Sequence, residues 1–370
     1  MTPINVTKSF LPPCEEYEAY IREIFDRVWL TNAGPLVLRL EDELKEFLGV
    51  KHLFFCSNGT VALQIAMKAL DIRRTVITTP FSYCATSHSV LWEGCPLQFA
   101  DVLPQTLCLD PARIEELITP DTEAIMGTHV YGLPCDVHAI QALADKHNLK
   151  VIYDGAHAFG VNYDGKSLLA YGDIATCSFH ATKLFHTVEG GAIITNDEEL
   201  ARKINLYRSF GHQGQEFDDY HSIGINGKNS EFHAAMGLCV LPHVPELIAR
   251  RKSISERYDA LLLSTGQVKR PLIPKGVEYN YPYYPIFFEN EDQMHQVRRA
   301  LADEQVFTRR YFFPSLNTLG FMPVRQDCPV SEAAAARVLC LPLYPDLAAE
   351  DVERIGGIVA ETLGQSVILS

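Results

Sequence analysis

The sequence lacks the marks of several protein classes. Its ten cysteines are spread from Cys14 to Cys340 without any C-x-x-C pair. Disulfide frameworks are typical of short secreted chains, and zinc sites need clustered ligands, so we expect reduced thiols and no metal site. The sequence also contains no run of about 20 consecutive apolar residues, the length that crosses a membrane. We therefore expect no membrane association.

Positive charge is scarce as well. The 370 residues include 32 Lys and Arg against 46 Asp and Glu, a formal net charge of −14. Nucleic acids and anionic membranes are bound by basic surfaces, so this balance argues against both partners. An anionic small molecule would be held locally, by helix amino termini and a few Lys or Arg side chains. Residues 1–13 show no basic stretch followed by an apolar run, the pattern of a secretory signal, and we expect a cytoplasmic protein.

Short β-branched or apolar runs alternate with amphipathic segments in the first half of the chain. The predicted strands are 53–56, 75–79, 124–130, 150–154, 174–179 and 191–195. Helices are predicted between them, for example 60–70 and 110–118, the latter with Asp110 as N-cap and Pro111 in the first helical position. This alternation predicts an α/β fold with a largely parallel sheet and helices on both faces. Its ligands would gather at the carboxyl ends of the strands.

The pattern changes near residue 240. A long helical stretch, 241–262, precedes shorter strands and a final helix. Because 370 residues exceed the usual size of one core, we expect two domains: residues 1–240, which include the amino-terminal segment, and a smaller α/β domain, 241–370. The segment 209–230 is rich in Gly, His and acidic residues and is the best candidate for a mobile or partner-contacting loop.

Two polar residues lie at predicted strand ends. Asp154 ends the strand 150–154, and Lys183 follows the strand 174–179. A pyridoxal phosphate cofactor needs an amine for attachment, a carboxylate that keeps its ring nitrogen protonated, and a cradle for its phosphate. Taken singly, an Asp at a strand end is more often a loop cap and a Lys near a loop is usually solvated. Together they supply the first two requirements.

A third feature fits the phosphate. The buried strand 53–56 turns through SNGT (57–60) into a helix. The N–H groups at the helix start point outward, glycine permits close approach, and the Ser or Thr hydroxyl can donate to phosphate oxygens. The motif alone would also fit an ordinary capped helix. Its position ahead of the Asp and the Lys favours a phosphate cradle.

These motifs together resemble the DegT/DnrJ/StrS family of sugar aminotransferases, which has the aspartate aminotransferase fold (PLP-dependent fold type I). The similarity extends over nearly the full length and includes WLTNAGPLVLRLEDELKEFLGV, SNGT, TTPFSYCATSHSV, HVYGLPCD, IYDGAHAFG and IGINGKNSEFHAAMG. The spelling SFHATK followed by EGG is highly specific. The resemblance implies a mostly parallel seven-stranded sheet with helices on both faces and a smaller C-terminal α/β lobe.

The resemblance also assigns roles to individual residues. Lys183 would carry the cofactor as a Schiff base and then move the proton, and Asp154 would pair with the ring nitrogen. Tyr83 would lie flat against the pyridine ring and His157 beside it, near the 3′ oxygen. For these two, packing in the core is the alternative. The phosphate side of the cofactor would contact Asn58, Gly59, Thr60 and Ser178.

A loop from the neighbouring subunit contributes to the site in this family. It places an Asn side chain on the phosphate, and Asn226 has that position here, which implies a homodimer with shared active sites. The family usually carries Arg two positions later, whereas this chain has Lys228, which keeps the charge but not the planar fork of Arg. One branch of the family replaces the lysine by histidine. Since Lys183 is retained, we expect His180 and His186 to shape the pocket or to pack.

The resemblance implies a reaction on a nucleotide-linked sugar. The expected substrate is a 4-keto-6-deoxy sugar, dTDP-4-keto-6-deoxyglucose first among candidates. Glutamate would donate the amino group to give the 4-amino-4,6-dideoxy sugar, for O-antigen or other surface-glycan biosynthesis. Two alternatives stay open, a 3-keto-sugar nucleotide aminotransferase and a non-catalytic, cofactor-binding regulatory relative. A nicotinamide-dependent oxidoreductase is not expected, because no G-x-G-x-x-G follows the first strand.

Overall fold

The structure is a computed structural model that describes residues 2–212, 219–323 and 325–364. The strands in this part of the chain are β1 (Ile4–Asn5), β2 (His52–Cys56), β3 (Thr75–Thr78), β4 (Leu97–Phe99), β5 (Thr122–Thr128), β6 (Lys150–Asp154), β7 (Asn162–Tyr163), β8 (Lys166–Ser167), β9 (Ile174–Ser178), β10 (Gly191–Thr195), β11 (Val277–Glu278), β12 (Tyr284–Phe287), β13 (Val306–Phe307) and β14 (Val338–Leu341). The helices are α1 (Cys14–Arg27), α2 (Pro35–Leu48), α3 (Gly59–Ala69), α4 (Ala85–Trp92), α5 (Pro111–Leu117), α6 (Val137–His147), α7 (Glu198–Tyr207), α8 (Glu231–Val240), α9 (Val244–Leu262), α10 (Glu291–Asp303), α11 (Pro329–Arg337) and α12 (Ala349–Thr362).

The central sheet has seven strands in the order β2-β10-β9-β6-β5-β3-β4. Strand β10 runs antiparallel to β2 and β9, and the other neighbours are parallel. The predicted α/β fold with a mostly parallel sheet is thereby confirmed. Six of these strands coincide with predicted runs. Strand β4 was missed because three residues are too few to show a strand pattern.

Short polar side chains begin several of the helices that flank the sheet. Asn58 Oδ1 accepts the N–H of Val61 at 2.9 Å and caps α3. Asp110 Oδ1 accepts the N–H of Ala112 at 3.0 Å and Pro111 occupies the first turn of α5, as predicted. Because each cap fixes where a helix begins, α3 starts directly after β2.

The sheet buries apolar side chains on both faces. In β6, Val151 and Tyr153 point into one apolar cluster, which also contains Leu44 of α2, while Ile152 points into a second cluster with Leu63 of α3. This alternation follows from the period of two residues in a strand. Helices on both faces, as predicted, therefore enclose the sheet.

The carboxy-terminal part contains a separate antiparallel pair, β12 with β14. A third apolar cluster surrounds it and includes Tyr258 of α9, Leu301 of α10 and Ile355 of α12. Strand β1 pairs with β13, so the amino-terminal residues contact the carboxy-terminal half. The division into domains 1–240 and 241–370 stays a prediction.

Helices α8 and α9 form one helical run, Glu231–Leu262. Within the described residues it is the one helix whose length and composition would suffice to cross a membrane. A 56% share of the relevant window is buried inside the fold, as is usual for a core helix of a globular protein. Buried Glu231 accepts the N–H groups of Leu36 and Val37, both at 2.9 Å, and so caps α2.

Candidate active site

The carboxyl ends of β6 and β9 and the amino terminus of α3 border a pocket of about 340 Å³. Eight of the nine residues predicted for the cofactor site line it: Asn58, Gly59, Thr60, Tyr83, Asp154, His157, Ser178 and Lys183. Residues separated by more than 100 positions in the sequence thus share one cavity. Their individual roles stay predictions.

Asp154 is the last residue of β6 and only 6% exposed. Its Oδ2 accepts a 2.7 Å hydrogen bond from the hydroxyl of Thr86, and its Oδ1 accepts the N–H of Ala156 at 3.0 Å. The Thr86 hydroxyl lies 2.8 Å from that of Ser82. Both carboxylate oxygens are therefore held in one orientation at the pocket wall, with lone pairs left for a further donor.

Lys183 follows β9 and projects into the pocket. Its Nζ donates to the hydroxyl of Tyr283 at 3.3 Å. The surrounding protein excludes water and lowers the pKa of the Lys183 amine, while the Asp154 carboxylate acts in the opposite direction. A lowered pKa increases the fraction of neutral amine, the form that attacks a carbonyl carbon.

His157 is buried at 5% exposure. Its ring stacks on Phe312 with the ring centres 5.6 Å apart, and its carbonyl accepts a 2.8 Å hydrogen bond from Asn280 Nδ2. Burial lowers the pKa of the imidazole well below its usual value, and nearby Lys183 adds to this effect. The Nδ1 atom has no hydrogen-bond partner within the described chain, so this neutral ring keeps one nitrogen for a ligand.

The start of α3 closes the pocket on a third side. The first N–H groups of a helix have no intrahelical acceptor and carry partial positive charge. A side chain at Gly59 would bring its Cβ within 3.0 Å of the Ser178 Cβ. Glycine therefore permits the close approach of α3 to β9, which places Ser178 beside the start of α3.

This set of groups fits pyridoxal phosphate. Lys183 supplies an amine and Asp154 a fixed carboxylate for a ring nitrogen. The unpartnered Nδ1 of His157 supplies a hydrogen-bonding atom for a ring oxygen, and the start of α3 supplies an anion site. The residues described contain no group of three His, Cys, Asp or Glu side chains that could hold a metal ion.

The two histidines near Lys183 differ in their positions. His180 lies at the pocket rim, where its Nδ1 contacts the Thr182 hydroxyl at 2.8 Å and its Nε2 lies 3.6 Å from the Glu189 carboxylate. His186 is buried away from the pocket lining, and its Nε2 contacts the carbonyl oxygen of Phe10 at 2.6 Å. His180 therefore shapes the pocket and His186 packs away from it, the two outcomes that the sequence left open.

Asn226 is the one predicted residue that does not line this pocket. Its exposed side chain accepts a 2.9 Å hydrogen bond from Lys228, whose Nζ lies 5.0 Å from the centre of the Phe210 ring. The carbonyl of Gly227 accepts the N–H of Ser57 at 2.9 Å, so this part of the predicted loop 209–230 is anchored to the SNGT turn. Residues 213–218 of that loop lie outside the described residues.

Other residues of the site, in the pocket lining and behind it, were missed by sequence reasoning. Thr86 contacts Asp154 across 68 positions of the chain, and Tyr283 contacts Lys183 across 100. Tyr311 and Phe312 also line the pocket. The aromatic-rich segments YNYPYYPIFF and RRYFFPS could have indicated Tyr283, Tyr311 and Phe312, because so many large rings in short segments must pack against one another.

Comparison with known proteins gives consistent matches. Residues 14–360 match the model of the DegT/DnrJ/EryC1/StrS aminotransferase family. The dTDP-4-amino-4,6-dideoxy-D-glucose transaminase of Shigella dysenteriae is 42% identical over 365 residues, 97% of this chain and 99% of that protein. The structure of DesI in the presence of its TDP-sugar product superposes with a TM-score of 0.91 at 32% identity, over 97% of this chain and 92% of that one. NtdA from Bacillus subtilis with bound cofactor PMP gives 0.88 at 28% identity, over 95% and 82%.

Proposed function

The chain belongs to the DegT/DnrJ/EryC1/StrS aminotransferase family, whose members depend on pyridoxal phosphate, and from this premise we propose its substrate. The protein transfers an amino group to a nucleotide-linked sugar. We propose that this sugar is dTDP-4-keto-6-deoxyglucose, that glutamate is the donor, and that the product is the 4-amino-4,6-dideoxy sugar. The similarity to the Shigella transaminase over nearly the full length of both chains supports this substrate.

The pocket that joins Lys183, Asp154 and the start of α3 carries the proposal. Bound pyridoxal phosphate would supply an electron sink for the carbon that loses its proton. Asp154, held by Thr86 and the Ala156 N–H, would keep the ring nitrogen protonated, because an opposite charge within about 4–6 Å raises the pKa of a base by one unit or more. Lys183 would bind the cofactor and, once its amine is free, accept and return the proton at the reacting carbon.

Local groups would hold the anionic substrate, since the net charge of −14 repels it over longer distances. The pocket rim carries His180 and Thr182, whose side chains contact each other at 2.8 Å. Tyr83, 63% exposed at the same pocket, would face the cofactor ring. Gly59, Thr60 and Ser178, with Asn58 capping the helix, would hold the cofactor phosphate.

We further propose a homodimer in which Asn226 completes the partner's site. Asn226 is exposed and outside the pocket of its own chain. Phe25 and Val28 are 67% and 81% exposed. They lie close to the end of the loop, because the carbonyl of neighbouring Leu30 accepts the N–H of Glu231 at 3.0 Å. In a dimer, a second copy would cover these apolar side chains, and the loop of each subunit would reach the pocket of the other.

Subunit mixing tests the shared site. Inactive Lys183→Ala chains mixed with inactive Asn226→Asp chains should recover up to about a quarter of wild-type activity, since half of the dimers would be hybrids with one intact site. Lys183→Ala mixed with Asp154→Asn is the matched control. Both residues line the same chain's pocket, so that mixture should stay inactive. Equal recovery in the two mixtures, or none in the first after verified exchange, would contradict a shared site.

A substrate panel tests the reaction. dTDP-, UDP- and GDP-linked sugars with the ketone at C3 or C4 are incubated with ¹⁵N-glutamate, and the products are identified by mass spectrometry and NMR. We expect the highest kcat/KM for dTDP-4-keto-6-deoxyglucose, with ¹⁵N at C4 and none in the Lys183→Ala control. A higher kcat/KM for a 3-keto sugar or for another nucleotide would replace the proposed substrate.

The proposed product is an amino sugar already activated for glycosyl transfer. This chemistry supports a role in O-antigen or other surface-glycan biosynthesis, with the enzyme in the cytoplasm. Deletion of its gene should remove the 4-amino-4,6-dideoxy sugar from the surface glycan and cause the keto-sugar nucleotide to accumulate. An unchanged glycan composition would reject this role and leave the reaction itself unaffected.

A further inference from the structure

Tyr283 contacts the reactive end of Lys183. The Lys183 Nζ donates a 3.3 Å hydrogen bond to the Tyr283 hydroxyl and lies 5.9 Å from the centre of its ring. We propose that Tyr283 is a positioning residue, which holds the amine of Lys183 whenever that amine is free and so fixes the direction from which it exchanges protons. Lysine has a flexible four-carbon stem, and without such a partner its amine would sample many positions.

The Tyr283 ring is itself held by its neighbours. It is 8% exposed, meets the His157 ring edge-on at 5.1 Å and lies 5.3 Å from the Tyr311 ring. A residue that positions another must be rigid, and these contacts on two sides restrict rotation of the phenol. The hydroxyl therefore has a defined location relative to the pocket.

Arg251 of α9 fixes the backbone that carries this ring. The buried guanidinium donates 3.2 Å hydrogen bonds to the carbonyls of Pro282 and Leu343. Burial lowers the pKa of Arg251 to about 10, which leaves it charged at neutral pH. Within the described chain it pairs with these carbonyls rather than with a carboxylate, so the cation serves to join α9 to the segment before Tyr283.

The chemistry of a phenol suits this role. A tyrosine hydroxyl accepts a hydrogen bond from an ammonium and donates one to a neutral amine, so it can hold Lys183 in both protonation states. Burial raises the pKa of Tyr283, which keeps the phenol protonated and prevents it from taking the proton of the lysine. The other titratable groups around the Lys183 amine are Asp154, Cys177, Tyr83, Tyr311 and His157.

This inference rests on the aminotransferase chemistry and not on the identity of the sugar. Its first test uses no sugar, so its failure is distinguishable from failure of the proposed substrate. Tyr283→Phe removes the hydroxyl and keeps the ring. Tyr281→Phe makes the same change two residues away, at a ring that contacts Tyr279 and does not line the pocket.

The readout is the reactivity of Lys183 in cofactor-free protein. Competitive acetylation from pH 6 to 10, followed by mass spectrometry of the Lys183 peptide, gives the apparent pKa of its amine. We expect Tyr283→Phe to lower this pKa by about half a unit, because a hydrogen bond to the charged form is the stronger one. Tyr281→Phe should match the wild type.

A second readout separates positioning from structural support. In the cofactor-loaded protein, Tyr283→Phe should slow the half-reaction with glutamate about 10-fold and leave cofactor affinity and the melting temperature unchanged. Identical acetylation profiles for the two variants would overturn the proposal. Loss of cofactor binding together with a lowered melting temperature in Tyr283→Phe would also overturn it, since the residue would then be structural.

Discussion

The hydroxyl of Thr86 in α4 donates a 2.7 Å hydrogen bond to Asp154 Oδ2 at the end of β6. Both residues are buried, and the same hydroxyl lies 2.8 Å from that of Ser82. The carboxylate that would face the ring nitrogen of the cofactor is thus oriented by a helix that follows β3, a strand two places from β6 in the sheet order. Thr86 itself does not line the pocket, so the site depends on a residue behind its wall.

Thr86→Val should slow the half-reaction with glutamate about 10-fold, with cofactor affinity nearly unchanged. Valine keeps the shape of threonine, so the main loss is one hydrogen bond to a charged group, worth about 1.5–3 kcal/mol. Stopped-flow absorbance measures the rate. Ser87→Ala is the control, because the adjacent buried Ser87 hydroxyl bonds the carbonyl of Cys84 instead. Equal rates in both variants would mean that Thr86 does not orient Asp154.

Asp154→Asn should retain folding, cofactor binding and subunit association but lose both half-reactions by on the order of 100-fold or more. Asparagine keeps the shape and removes the charge, so the ring nitrogen is no longer held protonated when electrons must be accepted. Single-turnover kinetics with glutamate and with the keto sugar measure both halves separately. A wild-type rate in either half would remove Asp154 from the catalytic residues.

Lys183→Ala should abolish covalent attachment of the cofactor, since no other predicted site residue that lines the pocket carries an amine. Borohydride reduction of the loaded wild-type protein, followed by peptide mapping, should place the label on Lys183. Lys228, with its amine bonded to Asn226, offers a matched variant, and Lys228→Ala should still take up the label. A label on any other lysine would contradict the assignment.

Sequence reasoning located the strand-end residues for a physical reason. In a parallel sheet the carboxyl ends of neighbouring strands share one edge, so Asp154 and Ser178 had to be close once β6 and β9 were neighbours. The strands themselves were long apolar runs that local pattern detects. Strand β4 escaped because Leu97–Phe99 is short and follows a Gly-Cys-Pro turn.

The supporting contacts could not be predicted in the same way. The contact of Thr86 with Asp154 depends on how α4 packs against the sheet, and that of Tyr283 with Lys183 depends on how the carboxy-terminal half folds back. Neither pair leaves a local pattern, since no periodicity connects residues 68 or 100 positions apart. Such contacts are set by tertiary packing alone.

Gly59→Ala should weaken binding of pyridoxal phosphate about 10-fold without a large loss of stability. The added Cβ would approach the Ser178 Cβ to 3.0 Å, so α3 and β9 would have to separate by a few tenths of an ångström and the phosphate contacts would loosen. Titration with pyridoxal, which lacks the phosphate, is the control and should show little difference from wild type. Equal weakening for both ligands would place the effect outside the phosphate site.

His129→Asn should make the protein less sensitive to acid. His129 is fully buried against Tyr153, with ring centres 4.5 Å apart, and its Nδ1 accepts the N–H of Cys135 at 3.1 Å. Burial lowers the pKa of the imidazole to about 3. In the unfolded chain the value is about 6.5. As pH falls below 6.5, His129 therefore binds a proton in the unfolded state but not in the folded state, and the free energy of unfolding decreases.

Between pH 7 and pH 5 this one group should cost the wild type about 2 kcal/mol. Asparagine places an oxygen where it can accept the Cys135 N–H, and its side chain does not titrate. The variant should therefore lack this part of the decrease in the free energy of unfolding. It should be less stable than the wild type at pH 7, because the ring contact with Tyr153 is gone. Urea unfolding of cofactor-free protein at the two pH values measures the difference. Exposed His147 provides the control, and His147→Asn should retain the wild-type pH dependence. Parallel curves for the wild type and His129→Asn would show that His129 takes up its proton without unfolding.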